Sequence, residues 1–370
     1  SFNRSISAAA SFTASSFSFL FFLFCAPDIF FPIIILLLLK STFFFFSFSQ
    51  KAFLCGFVNF YSHLFEEYSH ACNNDMQTQT TTTSKVNNNN QCYRCETVAV
   101  RCDRESKIAV VSLNRPRYLN AINAQMWREI PVVFDALSED EEVNAIVLTG
   151  EGKHFCAGID VSSKESLFET LGDVENERDL GRRNEYLLRH IKRLQASVSS
   201  VERCRKPVVC MIKGACVGGG LDIAAACDVR ICDRTAFFSV KEVELGIVAD
   251  IGSLQRLPSI VGQGRATELA LTARTVKSDE AEKIGLVSKC CGDAEELERA
   301  CVEVAKRMAS LSPLAIQGTK RSLLNSRDSE SVEKGLEYVA LKNAAQLISD
   351  DLKESMNARF EKRKPVYSRL

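Results

Sequence analysis

Apolar and polar positions divide this 370-residue chain into three unlike stretches. From Phe17 to Leu39 the sequence is apolar over a length sufficient to span a bilayer, interrupted by Pro27, Asp28 and Pro32. From Met76 to Gln91 it is rich in Thr and Asn without apolar periodicity, which predicts a disordered tail over residues 76–96. From about Thr97 onward, apolar residues recur with the periods of strands and helices. The run Ile108–Leu113 predicts a strand, Asn123 caps a helix reaching Leu137, and Ala145–Thr149 predicts a second strand. Pro131 is expected to kink or shorten that helix, because it offers no N–H and crowds the preceding turn. Leu187, Ile191, Leu194, Val198 and Val201 step by four and three, the spacing of a helix with one buried face.

Val208–Ile212 and Val229–Cys232 predict further strands on either side of a glycine run and a short helix. Beyond Asp250 the pattern is helical over Ala266–Leu271, Ser278–Ile284, Ala294–Leu311, Pro313–Asn325 and Ser331–Arg359. The last is read as one long amphipathic helix suited to packing on a partner subunit. Recurring strand and helix units put the chain in the α/β class. The organisation expected is a catalytic core over 97–275, a helical region over 276–364 and a tail over 365–370. The polar segment Ser162–Arg183 is expected to be a surface helix or loop over the site.

Composition changes the reading of the first stretch. Of 24 phenylalanines most fall before Tyr68, among Ser, Leu, Ile and Pro, the residues that pyrimidine-rich codons specify, and no methionine precedes Met76. Residues 1–75 are therefore read as a translated leader rather than a membrane anchor, with the natural start at Met76. Lys and Arg number 46 and Asp and Glu 46, so no net field draws the protein to nucleic acid or to a membrane, and a small-molecule partner is expected. Most of the 15 cysteines sit in apolar or helical runs, as Cys210, Cys216 and Cys227 do, which suits buried free thiols in a reducing compartment. The lone pair Cys92 and Cys95 has no second pair to complete a zinc site, so no metal or cofactor is expected.

Three carboxylates, Asp222, Glu242 and Asp250, follow closely on Gly218-Gly219-Gly220. A triple glycine opening a helix lets backbone N–H groups approach a ligand oxygen. Carboxylates beside such an oxyanion hole suit proton abstraction next to a carbonyl. The segment His154-Phe155-Cys156-Ala157-Gly158-Ile159-Asp160 follows its own strand and offers a second set of unencumbered N–H groups. His154 and His190 are the only histidines after Met76, which leaves little material for a nucleophilic triad.

Taken together, Asn120-Ala121-Ile122-Asn123, His154–Asp160, Gly214–Asp222 and Phe238–Gly246 resemble the enoyl-CoA hydratase/isomerase (crotonase) family over roughly Thr97 to Lys364. The resemblance implies an α/β crotonase-like spiral of ββα units, a C-terminal helical region that drives assembly into a trimer or hexamer, and an acyl-CoA substrate. Coenzyme A would then be part of the substrate, with no separate cofactor. It also implies that the thioester oxygen meets the N–H groups of Ala157 and Gly219. The loop Ala157-Gly158-Ile159-Asp160 would meet the adenine end of coenzyme A.

Hydratases of the family carry two glutamates, at the positions of Asp222 and Glu242, and usually a glycine at that of Asp250. The string Lys241–Pro258 looks most like that of the Δ3,5-Δ2,4-dienoyl-CoA isomerases. That reaction takes a proton from C2 and returns one to C6, which two separated carboxyl groups serve better than one. By resemblance Asp250 is assigned to C2, Glu242 to C6, and Asp222 to orienting the pair, the exchange of the first two roles staying open. Ile247, Val248 and Ile251 are expected to enclose the acids and raise their pKa values. An enoyl-CoA hydratase, a Δ3-Δ2-enoyl-CoA isomerase and a non-catalytic scaffold or RNA binder are the competing readings. Asp160 is read as a loop-shaping residue, and Lys320 as solvated or as a phosphate contact. Ser368-Arg369-Leu370 resembles a peroxisomal import signal, which implies an import receptor as partner.

Overall fold

The computed structural model describes Tyr93 and residues 95–161 and 179–370. Residues 1–75, read as a leader, most of residues 76–96, Cys92 among them, and residues 162–178 of the polar segment lie outside the described residues. Strands β1 (Val98–Asp103) and β2 (Ile108–Leu113) pair as an antiparallel hairpin. Helix α1 (Ala124–Glu139) follows and leads to β3 (Ala145–Gly150), then to α2 (Leu180–Arg203) and β4 (Val208–Ile212). After these come β5 (Ala215–Val217), α3 (Gly219–Ala226), β6 (Val229–Asp233), β7 (Phe237–Ser239) and α4 (Ser253–Val261). Helix α5 (Gln263–Thr272), β8 (Val276–Lys277), α6 (Ser278–Lys283) and β9 (Lys289–Cys291) complete the sheets.

Two sheets result, in the orders β1-β2-β3-β4-β6-β9 and β5-β7-β8. Beyond the first hairpin the larger sheet is parallel throughout. The chain turns in repeated ββα steps: β4 joins the large sheet, β5 the small one and α3 returns, and β6, β7 and α4 repeat the pattern. The apolar residues of β3, β4 and α3 make the core from which the site projects.

Asn123 caps α1 by accepting from the Met126 N–H at 3.0 Å. Pro131 does not end that helix, which continues to Glu139. The buried stripe Met126, Ile130, Val133, Phe134 and Leu137 holds it against the core on both sides of the proline, and this packing outweighs one missing hydrogen bond. Among the described residues ten cysteines are free, Cys210, Cys216 and Cys227 among them and buried, whereas Cys102 is disulfide-bonded.

The C-terminal region comprises α7 (Ala294–Ala309), α8 (Pro313–Asp328), α9 (Val332–Gln346) and α10 (Asp350–Phe360). The single helix expected over Ser331–Arg359 is two, because Ser349 starts a new one by accepting from the Leu352 N–H. Lys320 is neither solvated nor a surface phosphate contact. At 7% exposure its Nζ pairs with Asp228 Oδ2 at 2.8 Å and donates to the Lys206 carbonyl at 3.0 Å, fastening α8 to the core. Asp228 also accepts from the Val208 N–H at 2.7 Å, so one carboxylate joins β4 to α8. Lys320→Met leaves that carboxylate without its cation, and urea unfolding should read a loss of about 3 kcal/mol. Among the described residues no helix is long and apolar enough to cross a membrane.

Candidate active site

The turn from β5 into α3 forms the centre of the site. Gly218 has a φ of +52°, and a Cβ there would stand 3.4 Å from Glu242 Oε1, so both the conformation and the close approach call for glycine. The N–H of Gly219, at the first position of α3, has no backbone acceptor among the described residues. Apolar tips converge beside it: a Cβ on Gly219 would lie 3.2 Å from Ile122 Cδ1 and 3.7 Å from both Ile251 Cδ1 and Trp127 Cη2. A free donor inside an apolar slot is suited to a carbonyl oxygen on an otherwise greasy ligand.

Asp222 lies one turn into α3, fully buried. Its Oδ1 accepts from the Ser253 N–H at 2.5 Å and from the Ser253 hydroxyl at 2.6 Å. Glu242 opens a 3₁₀ turn, Glu242–Leu245, which Gly246 ends in the left-handed region, and its side chain turns inward at 7% exposure. Lys241 pairs with Glu244 on the surface instead, at 2.6 Å. Asp222 Oδ2 and Glu242 Oε2 are buried without hydrogen-bond partners among the described residues, although the two carboxyl groups are close enough to bond each other. A single proton held between them would satisfy both oxygens.

Burial pushes Asp222 up to about 7, helped by the Glu242 charge and opposed by the Ser253 hydrogen bonds and the Arg256 charge. The folded chain therefore binds more protons than the unfolded one between the free value of 3.8 and about 7, and this group's contribution to stability falls as pH rises through that window. Burial also raises Glu242, with Asp250 adding to the rise. Asp250 is raised by loss of solvent around it, against a lowering by its own backbone and by His190, although its side chain is exposed in the single chain. The Asp250 carbonyl accepts from Gln195 Nε2 at 2.7 Å, which ties its loop to α2.

The expected apolar enclosure is only partly present. Ile251 is buried, but Ile247 is exposed and Val248 is 69% exposed, because Gly246 stops the turn and the chain swings outward before Gly252 returns it to α4. In the second loop, Ala157 donates its N–H to the Leu119 carbonyl at 3.1 Å, so that donor is not free as expected. A thioester oxygen has to compete with Leu119 for it. Gly158, with φ +97°, packs so closely that a Cβ would lie 3.1 Å from the Val217 carbonyl and 3.8 Å from the Gly219 nitrogen. Ile159 bridges Ile122 in parallel register, and Asp160 pairs with Arg115 at 2.8 Å in a buried setting. Asp222, Glu242, Gly158 and Gly219 thus meet directly, Asp250 acts across the loop, and Ile159 and Asp160 shape the rim.

Sequence reasoning passed over Ser253, Arg256 and Trp127. Ser253 had a signal, a hydroxyl directly after Gly252 where a helix could begin, and Trp127 is the chain's single tryptophan.

Residues 103–369 match the family described as enoyl-CoA hydratase/isomerase. The chain belongs to that family. It is 48% identical over 271 residues to the peroxisomal Delta(3,5)-Delta(2,4)-dienoyl-CoA isomerase of Arabidopsis thaliana, covering 73% of this chain and 96% of that protein. It is 44% identical over 253 residues to the mitochondrial Delta(3,5)-Delta(2,4)-dienoyl-CoA isomerase of Homo sapiens, covering 68% of this chain and 75% of that one. Among solved structures it resembles an enoyl-CoA hydratase from Bacillus anthracis, with TM-score 0.65 and 28% identity, covering 74% of this chain and 99% of that one. The enoyl-CoA hydratase/isomerase fold expected from the motifs is therefore the fold found.

Proposed function

We propose that this chain converts 3,5-dienoyl-CoA to 2,4-dienoyl-CoA in the oxidation of unsaturated fatty acids. The observation that carries the reading is Asp250, a third acid beside the buried Asp222 and Glu242 pair, and its charge reaches Glu242. The substantial identity to two dienoyl-CoA isomerases supports it. Asp250 takes a proton from C2, the charge spreads over the dienolate to the thioester oxygen, and Glu242 returns a proton at C6. Asp222 holds Glu242 in place through their shared proton. Gly219 stabilises the oxygen, joined by Ala157 once the substrate displaces Leu119; losing one such hydrogen bond costs ~10²–10³ in rate. Coenzyme A arrives with the substrate and no other cofactor takes part.

Incubation with 3,5-dienoyl-CoA should give the absorbance of the conjugated 2,4-product. Hydration of 2-enoyl-CoA with no such product would instead assign a hydratase.

The C-terminal region exposes Val332, Leu336, Leu341, Ile348 and Phe360, apolar surface suited to a homotrimer or hexamer. The terminal Ser368-Arg369-Leu370 supports import into peroxisomes by a receptor that reads it. Deleting Leu370 should move a fluorescently tagged protein to the cytosol, and unchanged peroxisomal fluorescence would reject this signal.

A further inference from the structure

Arg256 lies in α4 and is buried, yet none of the assigned chemistry uses it. Its guanidinium folds back over the start of its own helix. A Cβ on Gly252 would fall 1.9 Å from Nη1 and 3.9 Å from Asp222 Oδ1, so the cation and the buried carboxylate face each other across a residue that has no side chain. The arginine cannot swing away to relieve a substitution there. Its Nε and Nη2 form a fork with Glu202, both at 3.1 Å, and Nη2 also donates to Ser199 Oγ at 3.1 Å. Glu202 is held in turn by Arg327 of α8 at 2.5 Å.

We propose that Arg256 is a positioning residue for the reaction, holding the Gly252–Ser253 turn that grips Asp222 and setting the positive charge that Asp222 faces, with Glu202 and Arg327 fixing its place. The inference rests on the reading of Asp222 and Glu242 as the acid pair. Other titratable groups face Asp222: Glu242 from the 3₁₀ turn, and the buried thiols Cys156 and Cys216, both raised by burial and neutral at physiological pH. Arg256 is therefore the only cation acting on Asp222 among these groups, and Glu202 partly neutralises it.

The two neighbours should act with opposite sign. Arg256→Met removes the cation and moves the proton-release midpoint of the pair to higher pH. Glu202→Gln leaves the cation less neutralised and moves the midpoint to lower pH. A purely structural disturbance has no reason to produce opposite shifts. The midpoint is read from the pH dependence of kcat with 3,5-dienoyl-CoA, and separately from the infrared carbonyl band of the buried protonated carboxyl in substrate-free protein. Arg256→Met should also lower kcat about tenfold or more with KM little changed, and Arg256→Lys should restore the midpoint by keeping the charge.

Midpoints that stay put in both variants, or move the same way, overturn the proposal. If Arg256→Met does not fold, Arg256→Gln, which also removes the cation but can still donate to Glu202, takes its place beside Glu202→Gln. If the wild type does not isomerise the dienoyl substrate, the functional reading fails, while the infrared titration still decides the role of Arg256.

Discussion

Asp250→Asn is expected to lower kcat for 3,5-dienoyl-CoA by ~10²–10⁴-fold, the range for removing a positioned acid or base. The amide keeps the size of the side chain and cannot accept the C2 proton. Because Asp250 is exposed in the single chain, a proton it takes from substrate should exchange with solvent faster than one held by the buried pair. In deuterium oxide the wild type should therefore place deuterium at C2 of recovered substrate, and Asp250→Asn should not. Asp250→Gly, which reproduces the residue expected in hydratases, should lose the isomerase reaction to the same degree. An Asp250→Asn enzyme with near wild-type kcat would remove the third acid from the mechanism and with it the main reason for preferring an isomerase to a hydratase.

The elements that could be read from sequence are those whose signal is local. Asn123 announced α1 because an N-cap needs only its own side chain and the next turn, and Leu187 to Val201 announced α2 because five positions share one face. Short strands carried no such signal: β5, β7 and β9 span three residues each, β9 held by the longer β6 and β5 and β7 by their pairing with each other and with β8. Pro131 does not shorten its helix for the same reason, since packing from other elements holds both sides of it. The break between α9 and α10 falls where the apolar Leu347 and Ile348 continue the pattern and only Ser349 marks a start.

The acids of the site were legible by their clustering behind glycines, but their environments were not. Whether Glu242 turns inward while Val248 turns out depends on Gly246, and whether Lys320 is solvated depends on Asp228, almost a hundred residues earlier. The Ala157 N–H shows the same limit: small residues after a strand predict an accessible donor, whereas its engagement by Leu119 comes from the fold of a loop some forty residues upstream.

Glu242→Gln is the complementary experiment and should also reduce product formation by ~10²–10⁴-fold, by the opposite route. The amide fills the same space against Gly218 but cannot deliver a proton to C6, so the dienolate forms and returns to substrate. Deuterium should still enter C2 of recovered 3,5-dienoyl-CoA through Asp250 while the 2,4-product fails to appear. Asp222→Asn should cost less than either. It keeps a neutral, hydrogen-bonding partner beside Glu242, and Ser253 can still donate to its carbonyl, but the shared titration is gone. The remaining midpoint should then belong to Glu242 alone and lie lower than the upper one of the wild-type pair, because no second negative charge has to form beside the first. Were Glu242→Gln to abolish C2 exchange and Asp250→Asn to preserve it, the two acids would exchange roles, with Glu242 as the base at C2 and Asp250 as the acid at C6.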